Sequence, residues 1–171
     1  MKKRFKILAI IVLVIIVCGF VIKSQMRLVK LNNRTTPHYS INVDCNLMQF
    51  QTIEDIAVYA KKKTSADLSF SWHNNIVNGE ANCVGYAQYA AVICNELFKR
   101  NNIKAKAKPV VGCYYFRNKN IHKMIIKFID NQKIINFIKD HDYVEIVDSA
   151  SNVVYSFDPS IYDLTYLDFG D

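Results

Sequence analysis

The chain has 171 residues, with 22 Lys and Arg against 15 Asp and Glu, and five Cys. That length allows one domain and an appendage. Residues 1–34 hold eight of the basic groups and no acid, so 14 basic groups face 15 acidic ones from Thr35 onward; a domain this near neutral excludes the electrostatic footprint of a nucleic-acid binder.

Lys2, Lys3, Arg4 and Lys6 precede an uncharged, Ile- and Val-rich run from Ile7 to Ile22. The run is slightly short of the ~20 residues that span a bilayer. Phe5 and the apolar stems of Lys6 and Lys23 make up the difference. A cleaved signal peptide would need small residues after the apolar core, and Cys18-Gly19-Phe20-Val21-Ile22-Lys23 offers no such pattern. A lipid-modified Cys18 would need a small residue before it, where Val17 stands. The pattern predicts an uncleaved N-terminal signal anchor helix over 1–25, with the membrane as partner. Four basic groups before the run against three just after it weakly favour an N-terminus inside and an extracytoplasmic domain. Residues 26–43, polar from Leu31 to Asn42, read as a tether, and 44–171 as the domain.

Thr52 opens a helix with Glu54 and Asp55 in its first turn and Lys61, Lys62 and Lys63 in its last, which suits the helix dipole. Asp67–Trp72 reads as a short extended piece. A second helix is predicted from Cys83 to Arg100, its stripe formed by Ala87, Ala90, Ala91, Cys94, Leu97 and Phe98. Cys83 and Cys94 are then ~16 Å apart along one helix face, too far for a disulfide. Beyond Asn101-Asn102 the period changes. Ala105–Phe116 and Lys123–Ile129 read as strands, Ile134–Lys139 is ambiguous, and Asp142–Asp148 and Val153–Asp158 flank the turn Ser149–Asn152. Helices first and strands after predict an α+β domain with antiparallel pairing.

Cys83 stands where the polar stretch Asn78-Gly79-Glu80-Ala81-Asn82 gives way to the helix. With Asn82 as N-cap, Cys83 meets the free N–H groups and the positive dipole end that stabilise a thiolate. Of the four histidines, His38 falls in the tether, His73 in a polar loop and His122 in a turn-like, exposed setting, whereas His141 begins the best-patterned strand. A hairpin loop centred between Ala150 and Ser151 sets Tyr143 opposite Asp158 and His141 opposite Ser160. His141 and Asp158 are then diagonal neighbours on one face, roughly 7–8 Å apart along the backbone. A carboxylate there can hold one imidazole nitrogen and turn the other toward a nucleophile. A slip of one residue would separate them.

Three blocks carry a family resemblance: Gly79-Glu80-Ala81-Asn82-Cys83-Val84-Gly85-Tyr86-Ala87, His141-Asp142-Tyr143-Val144-Glu145 and Phe157-Asp158-Pro159-Ser160. In this order, over Gly79 to Ser160, the chain resembles the transglutaminase-like superfamily of cysteine enzymes, relatives of the papain-like fold. It departs from them in having Tyr143 where Trp is common and Asn101-Asn102 where Gly is common. Its segment between Phe116 and His141 is also longer than a minimal member needs. The resemblance implies a nucleophile helix packed on an antiparallel sheet. It implies Cys83 as nucleophile, His141 as general base and acid, and Asp158 as the group orienting His141.

The implied chemistry is attack on a peptide or carboxamide carbonyl to form a thioester, resolved by water or by a second amine. Without appended sandwich modules the chain resembles the bacterial protease-like members, which favours hydrolysis of a peptide or protein substrate. The Cys83 N–H is one oxyanion donor. Asn82 and Trp72 are candidates for a second, although Trp72 also reads as core. No spaced metal-ligand set and no Gly-rich phosphate loop is present, so no cofactor is implied. The competing expectation is a binding or assembly module that keeps the fold without turnover.

Overall fold

A computed structural model describes residues 25–35, 49–152 and 154–165. The predicted anchor, but for its last residue, lies outside the described residues, as does Cys45. Among the described residues no helix is long and apolar enough to cross a membrane.

The chain is α+β with an antiparallel sheet. Strand β1 (Met26–Asn33) is followed by helix α1 (Ile53–Asp67), the short strands β2 (Ser69–Phe70) and β3 (Glu80–Ala81), and helix α2 (Cys83–Arg100). Strand β4 (Ala105–Phe116) leads through β5 (Lys119–Asn120) to helices α3 (Ile121–Ile126) and α4 (Gln132–Ile138). Strands β6 (His141–Asp148) and β7 (Val154–Phe157) and helix α5 (Pro159–Thr165) complete it. The main sheet runs β1-β4-β6-β7, with β5 folded back on β4, and β2 and β3 pair separately in parallel.

Both long helices form for the reasons their sequences give. The Thr52 hydroxyl accepts from the Asp55 N–H. Asn82 Oδ1 accepts from the Val84 and Gly85 N–H groups. Each cap satisfies donors that the first helical turn cannot. Ile56 and Ala60 of α1 meet Ala87, Ala90, Ala91, Cys94, Leu97 and Phe98 of α2, and this layer buries Ala107, Val144, Ile146 and Phe157 of the sheet. Each large apolar side chain so buried contributes about 1.5–3 kcal/mol. Asn95, in the middle of α2, accepts from the Ala107 N–H at 2.8 Å and donates to the Ala107 carbonyl at 2.9 Å. It thereby satisfies β4 backbone on the side that β1 does not reach, and fixes α2 on the sheet.

Two expectations are corrected and one ambiguity is resolved. Met26–Asn33, read as part of a tether, pairs with β4 from Met26↔Phe116 to Asn33↔Val110. Just beyond it, Arg34 Nε donates to Asp142 Oδ1 at 2.9 Å, and Asp142 is 1% exposed. A polar sequence serves here because β1 is an edge strand with one face in solvent. Lys123–Ile129, read as a strand, begins inside α3, because Asn120 Oδ1 accepts from the Lys123 N–H and starts a helix before any partner strand is available. The ambiguous stretch at Ile134 is helical for the same reason, with Asn131 capping the Lys133 and Ile134 N–H groups.

Candidate active site

Cys83 is the first residue of α2, and three neighbours hold that helix start in place. Asn82 caps it, and the Asn82 N–H in turn donates to Asn74 Oδ1 at 2.9 Å. Asn74 can come this close because position 85 is glycine: a Cβ there would lie 2.5 Å from Asn74 Oδ1 and 2.7 Å from the Ala81 Cβ. Glycine is costly inside a helix, and here close approach of the loop requires it. The Cys83 N–H is left as the helix-start donor nearest the sulfur.

The β6–β7 register is the expected one, Val144↔Phe157 through Val147↔Val154. It brings His141 Nε2 to 2.6 Å from Asp158 Oδ2. Cys83 lines the same cavity as His141 and is close enough to raise the imidazole pKa. With Nε2 held by Asp158, Nδ1 is the nitrogen left for the sulfur. The structure thus brings Cys83, His141 and Asp158 into one cluster.

Asp158 is buried, and every lone pair of its carboxylate is engaged. Oδ1 accepts from the Ser160 N–H at 3.1 Å, the Ser160 hydroxyl at 2.9 Å and the Ile161 N–H at 3.0 Å. Oδ2 accepts from the Tyr114 hydroxyl as well as from His141. Burial alone would raise the Asp158 pKa, yet the His141 charge and these donors hold it below its ordinary value. Burial likewise works against a charged His141, but Asp158 and then Cys83 overcome it and push the imidazole pKa well above its usual 6.5. The carboxylate and the protonated imidazole each favour the charged form of the other.

A cavity of about 260 Å³ opens beside the sulfur. Apart from Cys83, His122, Asp140, His141 and Ser160 its walls are apolar, formed by Phe70, Ile125, Phe137, Ile138 and Leu164. The two oxyanion candidates fare differently. Asn82 precedes Cys83 but does not line the cavity, and its carboxamide oxygen caps the helix. Trp72 does not line the cavity and is not core: it is 59% exposed and packs on Phe137, with ring centroids 4.5 Å apart.

Three further residues contribute, of which only Ser160, expected opposite His141, was placed near the site by the sequence. Tyr114, on β4, buttresses Asp158. Ser160 Oγ lies 3.2 Å from His141 Nε2. His122, expected to be exposed, lines the cavity and donates from Nδ1 to the Ile138 carbonyl at 2.6 Å, which leaves Nε2 a buried acceptor with no partner among the described residues. Desolvation and the neighbouring His141 charge lower the His122 pKa, although its bond to Ile138 opposes them. Strand parity could have found Tyr114, but only with the β4–β6 register, Gly112↔His141, in hand.

The three described cysteines, Cys83, Cys94 and Cys113, are free and buried. Burial pushes the Cys94 thiol far up, consistent with a core residue. Comparison of the chain with family models, with curated proteins and with solved structures finds no match.

Proposed function

We propose that this chain is a membrane-anchored cysteine hydrolase of transglutaminase-like, papain-related type, acting on peptide or carboxamide bonds through Cys83, His141 and Asp158. The observation that carries the reading is one imidazole held by a buried, fully hydrogen-bonded carboxylate and lining the same cavity as a helix-start thiol. A surface or core histidine has no need of that arrangement.

The chemistry follows from the geometry. His141 receives the Cys83 proton, and Asp158 stabilises the resulting imidazolium. The sulfur attacks the carbonyl carbon, and the Cys83 N–H and the helix dipole meet the developing oxyanion. The C–N bond breaks as His141 returns its proton to the departing amine, leaving an acyl thioester on Cys83. Water then attacks the thioester, His141 takes its proton, and the free acid leaves with the thiol restored. A primary amine in place of water would give transfer instead of hydrolysis.

The apolar walls beside the sulfur favour a substrate whose acyl-donating residue carries a bulky apolar side chain over one carrying Gln or a charged group. The test is mass spectrometry of a peptide series, differing only at that residue, incubated with the full chain in detergent. Hydrolysis of the Leu and Phe peptides, lost in Cys83→Ala, is expected. An added primary amine should be incorporated as a minor product. No turnover of any peptide would favour the second reading, a binding module on the same fold, whose support is the cavity itself.

A further inference from the structure

The segment between β4 and β6 has a composition unlike the rest of the domain. Arg117, Lys119, Lys123, Lys127, Lys133 and Lys139 are all exposed, against a single exposed acid, Asp130. Interleaved with them are exposed apolar side chains, Met124 and Ile125 on α3, Ile134 on α4, and Phe128 between the helices at 88% exposure. A neutral domain therefore carries one segment, residues 117–139, in which exposed basic and large apolar side chains alternate.

That segment lies where the chain enters the fold. Met26 pairs with Phe116, the last residue of β4. Arg117 donates from its side chain to Gln25 Oε1 and from its backbone to the Gln25 carbonyl. Met26 also lines a cavity of about 200 Å³ together with Ile121 and Ile125 of α3. Residues 1–24, outside the description, carry the apolar run that ends at Ile22. Four residue steps separate Ile22 from Met26, a reach of at most about 15 Å. The headgroup layer on each side of a bilayer is itself about 5–8 Å thick. With Ile7–Ile22 in the hydrocarbon, Met26 lies within about 15 Å of it, which puts the edge of the domain holding Met26 and α3 at the headgroup layer or just beyond it.

We propose that α3 and the loop after it dock on the bilayer surface, with Met124, Ile125 and Phe128 inserted at the interface and the surrounding Lys and Arg side chains on anionic headgroups. Apolar groups ringed by basic ones suit that occupant: the apolar side chains bury against acyl chains while the cations stay with lipid phosphates. A peptide partner would have no need of six cations around the apolar groups. The proposal rests on the anchor reading and adds an orientation to it. Ile125 lines both the cavity beside Cys83 and the one beside Met26, so the cleft opens next to the membrane and takes substrate held close to it.

Trp72 is the chain's single tryptophan, which allows a direct test. In a Trp72→Phe background, Phe128→Trp reports on the proposed face. Val154→Trp reports on β7, at the other edge of the sheet and about 30 Å along the strands from Phe116. Both sites are exposed, so neither change disturbs the core. The full chains are reconstituted in vesicles of phosphatidylcholine with a minority of phosphatidylglycerol, the acyl chains brominated near the headgroup. Flotation with the vesicles tests the anchor by itself. The expected result is flotation of both variants, with emission from residue 128 blue-shifted and quenched several-fold more than that from residue 154. Charge reversal by Lys123→Glu and Lys127→Glu should reduce that quenching. Flotation with equal quenching at the two sites would overturn the docking and leave the anchor standing. Failure to float would overturn both. A blue shift at residue 128 that appears only on adding peptide would assign the face to a peptide instead.

Discussion

Asp158 Oδ2 lies 2.6 Å from His141 Nε2, in a carboxylate that is 1% exposed and accepts four other hydrogen bonds. Asp158→Asn keeps the shape and removes the charge. The amide can donate as well as accept, which permits the wrong imidazole tautomer, so turnover should fall roughly 10³–10⁴-fold. The helix start still acts on Cys83, and slow alkylation at that residue should survive. Alkylation rate against pH, measured beside peptide turnover, checks this; identical behaviour of the two proteins would make Asp158 only the cap of α5.

The same pair sets a pH window for stability. Because the folded His141 pKa is raised above 6.5, its contribution is fully present below about 6.5 and is lost as pH rises through the folded value. Because the folded Asp158 pKa is depressed below 3.8, its contribution is fully present above about 3.8 and is lost as pH falls through the folded value. The melting temperature should therefore hold between about pH 4 and 6.5 and decline on either side. His141→Phe should be less stable throughout, since it leaves Asp158 buried without its cation, and should lose the alkaline decline. A decline above neutrality that His141→Phe retains in full would mean that another group titrates there.

Gly85→Ala improves helix propensity by about 1 kcal/mol and ought to stabilise an ordinary helix. Here the new Cβ meets Ala81 Cβ and Asn74 Oδ1 at distances no real contact tolerates. Net destabilisation of about 1–2 kcal/mol is expected, because overpacking outweighs propensity. Activity at temperatures where the variant remains folded should also drop, since Asn74 no longer braces Asn82. A rise in melting temperature would show that the Asn74 loop is free to move away.

Removing residues 1–34 would delete β1 and Arg34, and this corrects the expectation that the domain starts near residue 44. Arg34→Ala alone leaves Asp142 buried without its partner, while burial already raises the Asp142 pKa. A loss of about 1–3 kcal/mol in urea unfolding is expected, toward the lower end because Arg34 is itself partly exposed. Unchanged stability would mean that water replaces the guanidinium at no cost.

What could be read in advance was local. The bounds of α2 follow from Asn82 and a clean apolar stripe, and the β6–β7 register follows from a four-residue turn and alternation on both sides. These brought Cys83, His141 and Asp158 together on paper. What failed was decided at a distance or by a single cap. β1 is polar, and only its pairing with β4, remote in the sequence, makes it a strand. α3 has a β-favouring composition that the Asn120 cap overrides. Tyr114 and Arg34 belong to the site and its support through β4 pairings that no local pattern encodes.

The central claim is that Cys83 forms a thioester in which His141 manages the proton. The most direct measurement is the intact mass of the protein during turnover of a Leu-donating peptide amide, with rapid acid quenching and peptide mapping. The account predicts an acyl adduct on Cys83 that decays to free acid, absent in Cys83→Ala and strongly reduced in His141→Phe. Hydrolysis that proceeds equally in Cys83→Ala, or an adduct on Cys94 or Cys113 instead, would contradict it.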